Sequence, residues 1–161
     1  MDLGIAGKTA LVCGASKGLG FGCAQALVRE GVNLVIVARG AQALDAAVAT
    51  LSALAASAPG TPFVKSVATD ITTEAGRAAV FAMQRDFDIV VTNAGGPPPG
   101  DFKDFGLDDW RQAVEGNMLT PIALIQATVY GMMDRGFGRI VNITSASIKH
   151  PIAALELSNG R

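Results

Sequence analysis

The sequence predicts an α/β protein built on a mostly parallel sheet covered on both faces. Three observations carry this. Short apolar runs alternate with longer amphipathic ones along the whole chain. The apolar runs are unbroken, as in strands buried on both sides, rather than alternating with polar residues. Glycine is frequent, at 19 of 161 residues, and aromatics are scarce at 6%. That is the usage of tight strand-to-helix turns rather than of a β-sandwich. Right-handed crossovers then wind the chain around both faces of the sheet, giving a doubly wound fold.

The elements follow in order. Lys8 to Cys13 is a buried strand that runs into glycines. Gly18 to Glu30 carries Leu19, Cys23, Ala26 and Leu27 at helical spacing. Asn33 to Ala38 is a second buried strand. Ala41 to Ala56 is an Ala- and Leu-rich helix, broken by Pro59 and Gly60. Pro62 to Val67 is a weaker third strand. Thr72 to Met83 is a third helix, with Thr73 or Thr72 as its cap. Ile89 to Asn93 is a fourth strand, and Gly95 to Gly100 a loop. Asp108 to Met133 reads as one long helix with the stripe Trp110, Val114, Asn117, Met118, Ile122, Ile125, Val129 and Met132. Pro121 is placed to kink it. Gly138 to Ile143 is a fifth strand.

Composition excludes several classes. Half of the residues are apolar, which argues against disorder. With 13 basic and 14 acidic residues the net charge is −1, and no basic patch for nucleic acid appears. Cys13 and Cys23 are too few for a metal cluster, and their settings do not suggest a disulfide. The N-terminus lacks the basic and apolar regions of a signal peptide. No apolar run approaches the roughly 20 residues of a membrane span. A cytoplasmic, soluble protein with no metal is the expectation.

The richest signal is the turn after the first strand, Gly14-Ala15-Ser16-Lys17-Gly18-Leu19-Gly20. Glycine permits positive φ and lets the backbone approach a phosphate. The free N–H groups of the helix start and the helix dipole favour an anion. The alternative is a tight turn that holds no ligand. At the end of the second strand an acid would bind a ribose 2′-hydroxyl and favour NAD. This chain has Arg39 there, and Lys17 adds a second positive charge. Together they suit a 2′-phosphate, hence NADP before NAD. A solvated strand end is the plainer reading of Arg39.

The Gly-x3-Gly-x-Gly spacing resembles the short-chain dehydrogenase/reductase family, as does the Thr92-Asn93-Ala94-Gly95 element after the fourth strand. Cys13 stands where that family usually has Thr. The resemblance runs almost continuously over residues 5–147 and is nearest to 3-oxoacyl-[acyl-carrier-protein] reductases. It implies a Rossmann fold, with Gly14, Ser16, Lys17, Gly18, Leu19, Gly20 and Arg39 against the cofactor. It also implies that Asp70 contacts adenine, that Asn93 braces the sheet, and that the Ala94-Gly95 backbone lies beside a ribose. A helix-capping Asp is the plainer reading of Asp70. Gly96-Pro97-Pro98-Pro99-Gly100 either walls a substrate pocket or is a surface turn. Asn117 matches the family's relay Asn, and Ser145 the catalytic Ser that hydrogen-bonds a substrate carbonyl. Ser147 is a second, weaker match.

One part of the pattern is missing. The family's proton donor is Tyr in a Tyr-x3-Lys motif 13 residues after the Ser, which here falls on Ser158, in Leu157-Ser158-Asn159-Gly160-Arg161. A Ser hydroxyl is a far weaker acid than a phenol. Tyr130 reads as core or interface packing, and Lys149 and His150 are remote candidates as donors. The chain supplies five of the seven strands that the resemblance implies. Residues 1–161 are therefore expected to be a single NAD(P)-binding domain whose C-terminal part is missing. The fifth strand would then be an open edge, unless an association covers it.

Three readings stand. The first is an NADP-dependent oxidoreductase acting on a small-molecule carbonyl, with a 3-oxoacyl thioester as candidate substrate. It would form a homodimer or homotetramer through the 108–133 helix. The second is a catalytically impaired nucleotide-binding or interaction protein. The third is a different doubly wound domain that holds a phosphate ligand.

Overall fold

The computed structural model describes residues 3–159. Five strands, β1 (Thr9–Cys13), β2 (Asn33–Ala38), β3 (Val64–Ala68), β4 (Ile89–Thr92) and β5 (Arg139–Asn142), form one sheet in the order β3-β2-β1-β4-β5. Every pairing is parallel. The order reverses between β1 and β4, which opens a crevice at the C-terminal ends of the strands. The predicted doubly wound α/β fold is thus observed.

Alternate strand residues feed two cores. Ala10, Val12, Leu34 and Ile36 pack with Ala24 and Val28 of α1 (Gly18–Arg29) and Leu44 and Leu51 of α2 (Ala41–Ala55). Leu11, Cys13, Val35 and Val37 pack with Val80 of α3 (Glu74–Met83) and, further along the chain, Leu124 and Met132. Residues of both sets on β1 and β2 are fully buried, which is why those strands read as unbroken apolar runs. At the opposite end of the sheet from the crevice, Arg135 donates to Asp88 (3.2 Å), Asp86 (3.1 Å) and the Phe87 carbonyl (2.7 Å). Asp88 also accepts from Thr9 N–H at 3.0 Å, so one carboxylate ties β1 to the chain leading into β5.

Several expectations need correction. The third strand begins at Val64, not Pro62; Pro62 has no N–H to give, and Phe63 N–H donates to the Asn33 side chain at 3.1 Å. The third helix begins at Glu74, because Thr73 is the cap and its hydroxyl accepts from Gly76 N–H. On α1 the buried residues are Gly20, Ala24 and Val28, while Leu19 is 69% exposed and Ala26 is exposed. The cause is Gly20, which must face β1 and sets the helix rotation.

The long helix is in fact two, α4 (Leu107–Val114) and α5 (Thr120–Asp134), joined by a π-helical turn at Glu115–Leu119. The wider turn shifts the phase of the helix. The buried face becomes Ala113, Gly116, Thr120, Leu124, Thr128 and Met132. Val114, Met118 and Ile122 of the predicted stripe are exposed. Pro121 is the second residue of α5, directly after the π turn. Tyr130 is 70% exposed, so it does not pack in the core. β5 is an edge strand with Arg139, Val141 and Asn142 exposed, so burial on both faces fails there. After β5 the chain makes a short 3-10 turn at 146–148. It ends, among the described residues, in α6 (Glu156–Asn159) packed on α4. Gly160 and Arg161 lie outside the described residues.

Candidate active site

The crevice at the strand ends has a volume of about 1070 Å³, ample for an extended ligand. The turn from β1 into α1 forms one wall. Gly14 and Gly18 have φ of +59° and +61°, conformations that favour glycine. A Cβ on Gly20 would lie 2.5 Å from the Gly14 carbonyl oxygen, so only glycine lets α1 begin this close to β1. The first N–H groups of α1 have no intrahelical acceptor and open at the crevice. Lys17 is the residue before the helix, and its side chain makes no cap bond.

β2 delivers Arg39 to a second wall. Arg39 and Lys17 are exposed, and neither forms an ion pair among the described residues. A Cβ on Gly95 would lie 3.7 Å from the Arg39 guanidinium, which places that group over the loop after β4. Asp70 follows β3. Its carboxylate accepts from Thr72 N–H (3.0 Å) and Thr72 Oγ1 (2.8 Å), while Thr73 does the helix capping. Burial pushes the Asp70 pKa up, but the Thr72 hydrogen bonds and the Arg39 charge outweigh it, and the net shift is downward. Asp70 thus stays ionised.

β4 supplies the floor. Asn93 Nδ2 donates to the Gly14 carbonyl at 3.4 Å, joining the ends of β1 and β4. The Asn93 backbone N–H donates to the Cys13 sulfur, and burial pushes that thiol up to about 12. Cys13 is therefore an inert thiol where the resemblance implied Thr. Both cysteines are free. Asn117 lies in the π turn and donates to the Ala113 carbonyl at 2.9 Å. Arg77 holds that turn from outside, donating to the Thr72 carbonyl at 2.7 Å and lying 3.9 Å from Glu115.

The crevice thus brings together Gly14, Ser16, Lys17, Gly18, Arg39, Asp70, Asn93, Ala94, Gly95 and Asn117. Leu19, Gly20 and Ser145 are not on its walls. Leu19 points to solvent and Gly20 is buried beneath the turn. Ser145 lies beyond β5, where its hydroxyl meets Ser147. Among the wall residues that escaped the sequence reading are Gln112 and Leu157. Leu157 is 2% exposed. The Gly100–Leu155 bridge and the Gly100 N–H to Ala154 carbonyl bond (2.8 Å) hold its segment against the proline loop. The signal for Leu157 was its place just before the position 13 after Ser145. That position, Ser158, is 7% exposed, and Lys149 and His150 are exposed. Among the described residues no group of three metal-ligating side chains forms, and no helix is long and apolar enough to cross a membrane.

A glycine turn on a helix start, beside a crevice at the switch point of a parallel sheet, defines a dinucleotide-binding class of protein. The family is narrower. The short chain dehydrogenase family model matches residues 8–156, and the chain belongs to that family. Ketoacyl reductase HetN of Nostoc sp. is 31% identical over 92% of this chain and 51% of its own length. L-sorbose reductase from Gluconobacter frateurii, solved with NADPH and L-sorbose, superimposes with a TM-score of 0.90. It shares 30% identity over 99% of this chain and 60% of its own. A 7α-hydroxysteroid dehydrogenase, solved with NADH and 7-oxo glycochenodeoxycholic acid, gives 0.85 at 27% identity, over 97% of this chain and 60% of its own. The chain spans about half the length of the curated relative described.

Proposed function

We propose that this chain is the NADP-binding part of a reductase that delivers hydride to the carbonyl of a small-molecule substrate. The observation that carries it is the pair Lys17 and Arg39, neither within 4 Å of a carboxylate oxygen among the described residues, on a crevice whose β2 end has no acid. Relatives have been solved with NADPH and with NADH, so this local charge is what favours NADP here. A bound nicotinamide supplies the hydride. The α1 start and the crevice-facing residues Gly14, Ser16 and Gly18 would hold the pyrophosphate, with Leu19 and Gly20 shaping the turn behind them. Arg39 and Lys17 would take the 2′-phosphate, Asp70 the adenine, and Asn93 to Gly95 a ribose. Ser145, beyond the end of β5, would polarise the carbonyl oxygen; Asn117 would order the proton path, and with Ser158 at the Tyr position solvent water would supply the proton that completes the alcohol.

The ketoacyl reductase relative supports a 3-oxoacyl thioester as the substrate class. The exposed residues Met118 (55%), Ile122 (42%), Tyr130 (70%) and Met133 (68%) support self-association through α5 and the π turn. The test of the reaction is NADPH consumption with a panel of ketones and 3-oxoacyl thioesters. The expected result is turnover that Ser145→Ala abolishes. Saturable NADPH binding with no turnover would contradict the reductase reading and leave a nucleotide-binding protein.

A further inference from the structure

The chemistry open to Ser145 is set by a neighbour two residues on. Ser145 caps the 3-10 turn after β5. Its Oγ accepts from the Ser147 backbone N–H at 3.2 Å and lies 2.9 Å from Ser147 Oγ. Ser147 is 1% exposed, and among the described residues its hydroxyl has no other partner. A hydroxyl has one proton to give and two lone pairs to share. If Ser145 gave its proton to Ser147, the Ser147 proton would be stranded in the interior. An unmet buried donor is the costlier arrangement, since acceptors tolerate under-use better. The proton therefore runs from Ser147 to Ser145. Both lone pairs of Ser145 are then taken. Its own proton is the one bond left, and Ser145 is half-buried, so that proton is available to a group outside.

We propose that Ser147 is a positioning residue that fixes the Ser145 hydroxyl as a hydrogen-bond donor toward a substrate carbonyl oxygen. This rests on the role of Ser145 in the proposed reductase function. Accepting two hydrogen bonds strengthens the one that Ser145 donates. It also prevents the hydroxyl from turning its oxygen toward the carbonyl. The donor is thus set before a substrate arrives, the condition under which such a group is most effective. Without Ser147 the hydroxyl rotates and its donation is shared with water.

The test is isotope-edited infrared spectroscopy of carbonyl-13C cyclohexanone in the presence of NADP+, with NADP+ binding titrated in parallel. Wild type should give the lowest carbonyl frequency and Ser145→Ala the highest. Ser147→Ala should move the band toward Ser145→Ala and broaden it. Ser147→Cys, which keeps the volume but is a weak donor, should behave like Ser147→Ala, and Ser147→Thr should restore the wild-type band. A Ser147→Ala band superimposed on wild type, with Ser145→Ala shifted, overturns the role of Ser147 alone. A Ser145→Ala band superimposed on wild type overturns the contact on which the proposal stands. Absence of NADP+ binding by wild type overturns the reductase reading itself, and the proposal with it.

Discussion

The Asn93 side-chain amide donates to the Gly14 carbonyl oxygen at 3.4 Å, across 79 positions of sequence. The same amide nitrogen would stand 2.7 Å from a Cβ on Gly14 and 2.8 Å from one on Gly20. Amide and glycines form one unit, which closes the ends of β1 and β4 under the crevice.

Gly20→Ala should therefore destabilise the fold by about 1–3 kcal/mol, since the new methyl meets backbone that has no room to move. Gly22→Ala, two residues along α1 with open space around it, should stabilise by roughly 0.5–1 kcal/mol. Urea midpoints of the two variants check the contrast. Equal effects would contradict the close-approach account.

The fold was legible because its signals are local. β2 and the start of α2 stand where the sequence placed them, since β2 is apolar from Leu34 to Ala38 and Gly40 precedes the helix. The rotation of α1 and the phase of α4 and α5 were not legible. Gly20 faces β1 and Gly116 faces Ala94 and Thr72, and periodicity weights side chains by hydrophobicity rather than by how closely backbone must pack. The walls at Gly14, Arg39, Asp70 and Asn93 were legible as strand-end residues. Leu157 was not, because a bridge at Gly100 brings it to the crevice from a distant part of the sequence.

Asp70 gives a pH signature. Its pKa in the fold is lowered, so its contribution to stability is complete above the ordinary value of 3.8 and is lost as pH falls through the folded value. Asp70→Asn should flatten the acid limb of stability and leave the neutral limb parallel to wild type. Urea midpoints across the acid range measure this. An unchanged acid limb in Asp70→Asn would contradict the account.

Thr120 Oγ1 is buried with no hydrogen-bond partner among the described residues, whereas Thr128 Oγ1 donates to the Leu124 carbonyl at 2.8 Å. Thr120→Val should raise stability by about 1 kcal/mol, since the desolvated hydroxyl is replaced by a methyl of similar shape. Thr128→Val should lower it by roughly 0.5–1.5 kcal/mol. Differential thermal unfolding of the pair separates these outcomes.

Met118 and Ile122 stand exposed on the side of the helix away from the sheet. The double variant Met118→Glu with Ile122→Glu should sediment as a monomer where wild type sediments as a larger species, with the melting temperature of the subunit little changed. A wild type that sediments as a monomer would remove the proposed interface.

The proposed binding of a 2′-phosphorylated dinucleotide through Arg39 and Lys17 is measured by fluorescence titration with NADPH and with NADH. Wild type should bind NADPH saturably and more tightly than NADH. Arg39→Ala should weaken NADPH by roughly ten- to hundredfold, the worth of charge-assisted hydrogen bonds, and leave NADH unchanged. Equal affinity for the two nucleotides, or loss of both in Arg39→Ala, would contradict the claim.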